Sequence, residues 1–446
     1  MTPTGADRST FASRFGIAMT LIGVAVGLGD VWRFPYLVGK FGGAAFVLLY
    51  VVAVVVVGVP GLAAELALGR STRRGPVGAY AAGGMPAGRA IGWGLFVVVM
   101  AATAYYAAVI GWVGWYALAS LLSTFGVVID PATSLPPEQG FSLPSLLRQL
   151  VGTTLVIGSG GWVMYRGLRE GIERSSRWIM PALFVILLIL VVRALTLPGA
   201  EAGVRWYILD FSPSDITPPV VLAALGQAVF STSLGGTFMV VYGSYLPDDA
   251  SPGSLALTTA VGDTLAGLLA GLAIIPAVIA LGLEPGSGPG LLFGTLPQVF
   301  ARIPFGNWFG LIFYLGLAGA AWLSAIAALE VLVAGLTDNT RMTRGRAIAL
   351  MSVATIVLSI PPSINLRIFV PWDLTFGSGM QTLGALFAAL TFGWCLHRGE
   401  ALRQLRDEGK LAPWLFWWIR VGVPAAILAV GLWWLATSVL GIASDV

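Results

Sequence analysis

Long apolar runs separated by short polar connectors dominate this chain. Segments such as "AAFVLLYVVAVVVVGVPGLAA" (44–64) and "WIMPALFVILLILVV" (178–192) hold no charged residue. About 20 such residues in a helix cross the roughly 30 Å of hydrocarbon in a bilayer. The pattern predicts eleven spans, near 15–38, 43–69, 90–123, 147–165, 175–197, 217–246, 254–284, 305–337, 345–361, 372–397 and 412–441. Two of them are interrupted, the first at "AVGLGD" (25–30) and the sixth at "STSLGG" (231–236). A break inside a membrane helix frees N–H and C=O groups, and these are tolerated only where protein, water or a ligand satisfies them. Glycines in membrane helices also serve close packing. Two breaks five spans apart, in halves that must face opposite ways, instead predict a mid-membrane site between inverted repeats.

Composition fits this pattern. Of 446 residues, 57% are apolar and only 10% charged, and the mean hydropathy is +0.87. A soluble chain carries about 25% charge, so the fold class is an all-α polytopic membrane protein. We expect one transporter domain over 1–446, with 15–197 and 217–397 as the 5+5 inverted repeat and 412–441 as an extra C-terminal helix. Most of the 25 basic residues fall in alternate connectors, which by the positive-inside rule puts the N-terminus in the cytoplasm of a multi-pass cell-membrane protein and the C-terminus "IASDV" outside. The net charge of +4 then reflects topology, and nucleic-acid binding is not expected. The first fourteen residues lead straight into a span, as in a signal anchor. One cysteine (Cys395) and one histidine (His397) exclude a disulfide framework and a Cys/His metal cluster, and both are expected to be inert. No nucleophile–base constellation or phosphate loop points to an enzyme.

The stretches "GVAVGLGDVWRFPYLVGKFGGAAF" (23–46), "GVPGLAAELALGR" (58–70), "YYAAVIGW" (105–112), "GQAVFSTSLGG" (226–236) and "LSAIAALE" (323–330) resemble the neurotransmitter:sodium symporter family, in its bacterial amino-acid branch. The resemblance covers most of the chain, and its first motif is the most specific. It implies sodium-coupled import of an amino acid by alternating access, through a bilayer-embedded monomer or homodimer.

Residue by residue, the resemblance implies two sodium sites. The first takes the Ala25 carbonyl, the side chains of Asp30, Ser231 and Asp263, and the substrate carboxylate. The second takes the carbonyls of Gly23, Val26 and Ala320 and the Ser324 hydroxyl. Oxygen ligands of this kind suit a hard cation. The substrate carboxylate would meet the Gly27–Gly29 amides and the Tyr106 hydroxyl, and its amino group the broken sixth span around Phe230, Ser231 and Ser233. Gly27 stands where amine carriers of the family have an aspartate, which favours an amino acid. Ala102, Gly236 and Ala328 are small and Phe230 is an aromatic wall, which favours a large hydrophobic or aromatic side chain.

Arg33 and Asp373 resemble the outer gate, and Arg8 and Asp338, with Tyr245 and Ser244 nearby, the inner one. Intramembrane charges of this kind are expected to be functional. Glu65 is expected to hydrogen-bond the broken first helix, and Gln227 to lie near Arg33. Three residues depart from the pattern. Asp30 replaces an asparagine, Leu323 replaces a polar ligand at the second sodium site, and Val24 replaces a polar neighbour of the first break. Two close carboxylates rarely both ionise without a cation between them, so one sodium, two sodiums, or sodium with a proton all remain open. The Asp263 carboxylate would do the balancing that chloride does elsewhere in the family, so chloride is not expected. The alternatives are a proton- or other cation-coupled amino-acid or amine carrier of the same fold, or a channel or non-transporting receptor on this scaffold.

Overall fold

The computed structural model describes residues 10–286 and 290–439. Among the described residues every regular element is helical. Span 1 is the bent pair Arg14–Ala25 and Gly29–Phe41, followed by span 2 (Ala44–Thr72) and span 3 (Gly88–Thr124). Span 4 is Leu143–Tyr165 and span 5 is Leu168–Leu195. Span 6 is split into Pro218–Ser231 and Phe238–Gly243. Spans 7 to 11 are Pro252–Ala280, Gly306–Asn339, Arg344–Ser363, Leu366–Cys395 and Gly409–Thr437.

Seven unbroken helices and two bent pairs are long and apolar enough to cross a membrane. Span 4 falls short because its middle, "GTTLVIGSGG", is weakly apolar, and span 6 because its two halves are short. With those two, each of the eleven predicted segments lies on a helical stretch. Local chemistry sets several starts. Ser13, Ser142, Ser251 and Asn365 each accept a backbone N–H of the turn they precede, satisfying donors that a helix start leaves open.

Burial sorts the spans into layers. The most apolar windows of spans 3 and 8 are 72% and 78% buried, whereas those of spans 5, 9 and 11 reach only 33%, 33% and 28%. Spans 3 and 8 therefore lie at the centre, and spans 5, 9 and 11 present much of their surface to lipid. The broken halves of spans 1 and 6 pack among spans 2, 3, 7 and 8, with Val24, Ala25, Val229, Leu234 and Ala328 all buried. Both breaks are thus surrounded by protein, as their freed backbone groups require.

Candidate functional site

Span 1 stops at Ala25. Val26 is extended, and the chain turns by 55° before the helix resumes at Gly29. Asp30, in the first turn of the new half, accepts the Gly27 N–H on Oδ2 at 2.9 Å. A carboxylate there satisfies an open donor and complements the positive end of the half-helix. Span 6 stops at Ser231, and Ser233, Gly235 and Thr237 then take left-handed φ values of 55°, 88° and 57°. Glu65 on span 2 accepts the Gly235 N–H at 2.8 Å. Glu65 therefore supports the sixth span and not the first, correcting the expectation above.

Side chains tie the two breaks together. The Ser233 hydroxyl donates to the carbonyls of Val24 at 3.2 Å and Ala25 at 3.4 Å. Gln227 Nε2 donates to the Gly29 carbonyl at 3.0 Å. From span 8, the Ser324 hydroxyl reaches the carbonyls of Val26 at 3.0 Å and Gly23 at 3.3 Å. From span 3, the Tyr106 hydroxyl accepts the Leu28 N–H at 3.3 Å. Gly27 makes this convergence fit, because a Cβ there would lie 2.5 Å from the Tyr106 oxygen and 3.1 Å from Ser324 Oγ.

These groups enclose a cavity of about 70 Å³. One water needs roughly 10–15 Å³ on this measure, so the space suits a small ordered molecule. Ala25, Gly27, Gly29, Ala102, Tyr106, Phe230, Ser231, Ser233, Ser324 and Ala328, all predicted, line it. Gly236 does not. A Cβ on Gly236 would sit 2.0 Å from the Phe238 ring, so Phe238 fills the space attributed to that glycine and itself forms part of the wall. Val24, Thr103, Tyr105 and Gln381 complete the lining and were not predicted. Tyr105 stands in the quoted "YYAAVIGW" motif, whereas Gln381 has no signal in the sequence.

Beside the cavity, Asp30 and Asp263 are wholly buried and interact with one another and with Ser231. Tyr50 on span 2 meets the Ser231 hydroxyl at 3.0 Å. Asp30 Oδ1 and both Asp263 oxygens have no hydrogen-bond partner among the described residues. Buried carboxylate oxygens without donors fit a bound cation. At the second position, Gly23 and Val26 carbonyls converge on Ser324 with Ala320 buried one turn earlier, a set of oxygens that also fits a cation. The Leu323 methyl packs against Gly23, 2.9 Å from where a Cβ would be, so this position gains no ligand from residue 323.

The gate residues divide. Arg33 lies over the Phe230 ring, 4.3 Å from its centre, and its charge reaches Asp373 and Tyr105, which abut one another. At the other end, Asp338 accepts the Gly75 N–H at 2.6 Å. Arg8 lies outside the described residues. Tyr245 donates to Glu330 Oε1 at 2.6 Å, and Arg344 grips both Glu330 oxygens at 2.9 and 2.7 Å. This triad was not predicted, although Glu330 ends the quoted "LSAIAALE".

Two half-helix breaks around a small cavity inside the helix bundle, with oxygen-rich positions beside it, are the arrangement of a membrane transporter. The family model described as "Sodium:neurotransmitter symporter family" matches residues 8–127 and 142–438, and the chain belongs to that family. It is 33% identical to a sodium-dependent transporter of Haemophilus influenzae, over 96% of this chain and 99% of that protein. A sodium-dependent transporter of Bacillus subtilis is 31% identical over 95% and 96% of the two chains. The sodium-dependent dopamine transporter of Bos taurus is 26% identical over 93% of this chain and 67% of its own length. Among solved structures, MhsT in complex with L-phenylalanine superposes with a TM-score of 0.82 at 32% identity, covering 95% of this chain and 99% of that one.

Proposed function

We propose that this chain is a sodium-coupled symporter importing a large apolar or aromatic amino acid by alternating access. The observation that carries this is the cavity where the two broken spans meet, with polar groups at one side and Phe230, Phe238, Ala102 and Ala328 at the other. The amino-acid complex of the similar transporter supports the substrate class.

In this mechanism Asp30, Asp263, Ser231 and the Ala25 carbonyl hold one sodium, and Ser324 with the Gly23, Val26 and Ala320 carbonyls holds a second. The substrate carboxylate meets the Tyr106 hydroxyl and the positive end of the Gly29–Phe41 half-helix. Its amino group meets the span 6 carbonyls around Phe230, Ser231 and Ser233. Substrate and sodium share ligands, so each raises the affinity of the other by the same factor. Filling both closes Arg33 and Asp373 above the cavity and releases the Arg8–Asp338 end below it. The Asp263 carboxylate takes the balancing role, so chloride is not required. The N-terminus is cytoplasmic, and 15–197 and 217–397 are the inverted repeats that rock about the site. The test is a binding screen over the twenty amino acids with purified protein, in sodium and in choline. Saturable sodium-dependent binding of apolar residues is expected, and sodium-independent binding contradicts the proposal.

A further inference from the structure

Asp30 and Asp263 bring two acidic groups into one wholly buried space. Gly267, one turn beyond Asp263 on span 7, adjoins the same side chain, since a Cβ there would lie 3.8 Å from Asp30 Oδ1, in ordinary contact. Asp30 Oδ1 therefore faces the same side of span 7 as Asp263. Of the four carboxylate oxygens only Asp30 Oδ2 has a close donor, the Gly27 N–H. The other three make no close hydrogen bond among the described residues, with the Ser231 hydroxyl the side-chain donor that acts on Asp263. The groups acting on the pair include one another, Ser231, Tyr50 and the local main chain.

Charge balance decides which ion this arrangement suits. A sodium ion neutralises one of the two carboxylates, and an uncompensated charge away from water is costly. A divalent hard cation neutralises both. Calcium is close to sodium in size and takes carboxylate, hydroxyl and carbonyl oxygens in an adaptable geometry. Magnesium demands a tighter octahedron and gives up its water reluctantly, which a wholly buried pair of carboxylates does not favour.

We propose that the Asp30–Asp263 pair binds calcium directly, in competition with sodium and without help from a substrate carboxylate. This rests on the reading of the pair as a cation site. Asparagine at either position would remove the second charge and leave a site suited to a monovalent ion. Calcium would then occupy the position where sodium and substrate share ligands, so it would hold the carrier in an ion-loaded state that excludes sodium.

The test uses the full-length protein in detergent, free of sodium and amino acid, with calcium chloride as the probe and magnesium chloride as the control. Thermal unfolding and equilibrium binding of radioactive calcium are both read. The expected result is one calcium bound, with half-saturation at about 0.1–1 mM, a raised unfolding temperature, no effect of magnesium, and a curve displaced by sodium. Asp30→Asn and Asp263→Asn each raise the half-saturating calcium at least about tenfold, while sodium still stabilises the Asp30→Asn variant, which shows that it is folded. No calcium binding, or binding unchanged in both variants, overturns the proposal. If sodium stabilises the native protein through these two residues and calcium does not, only the calcium inference fails. If neither ion stabilises it, the cation-site reading fails as well.

Discussion

Glu65 of span 2 accepts the N–H of Gly235 in the broken sixth span, at 2.8 Å and wholly out of contact with water. Gly235 in turn packs its backbone on span 10, where a Cβ would lie 1.9 Å from the Gln381 carbonyl. The unwound segment is thereby fixed from two sides. Leaving a buried donor without its acceptor costs about 1–3 kcal/mol. Glu65→Ala should lower the unfolding temperature measurably, whereas Glu65→Gln, which keeps an acceptor, should stay close to the native value. Equal losses in the two variants would show that the hydrogen bond does not support the break.

Gly27 lies against the Tyr106 hydroxyl and Ser324. Gly27→Ala should weaken substrate binding at least about tenfold, or roughly 1.4 kcal/mol, because the added methyl displaces the Tyr106 hydroxyl that is proposed to meet the substrate. Tyr106→Phe in the same chain relieves the closest contact and should restore protein stability without restoring affinity. Equilibrium binding and thermal unfolding together separate these effects.

Ser324 hydrogen-bonds the Gly23 and Val26 carbonyls, and in the proposed mechanism it would supply the side-chain oxygen of the second cation position. Ser324→Ala should raise the half-saturating sodium concentration several-fold, at about 1 kcal/mol for a lost ligand of this kind. Sodium titration of substrate binding measures it. Leu323→Thr, which offers another hydroxyl beside Gly23, should move the curve the opposite way.

Arg344 holds Glu330, whose side chain is buried while the arginine is partly exposed. Removing the arginine leaves the buried Glu330 carboxylate with Tyr245 as its remaining donor, at about 1–3 kcal/mol for the lost partner. Arg344→Ala should therefore destabilise the protein measurably, and Glu330→Gln in the same chain should recover part of the loss. Absence of recovery would mean that Arg344 acts through its Met164 carbonyl contact instead.

Much of this architecture is legible in the sequence because the bilayer leaves few choices. Apolar runs had to be helices, and two glycine clusters five spans apart, at 25–30 and 231–236, pointed to breaks more than to close packing. The cavity lining, Gly236 apart, is what the family resemblance carried by "AVGLGD", "STSLGG" and the later motifs implies. What escaped depends on packing between distant spans. The partner of Glu65 is fixed by the rotation of span 2, and Phe238 turns back over Gly236 only because Thr237 takes a left-handed conformation. Gln381 and the Glu330–Arg344–Tyr245 triad likewise join residues whose spacing along the chain carries no period.

Uptake into proteoliposomes tests the central claim most directly. An inward sodium gradient should drive accumulation of a radiolabelled apolar amino acid above its outside concentration, and dissipating that gradient should abolish it. Uptake that ignores the sodium gradient and collapses with a protonophore would contradict the account.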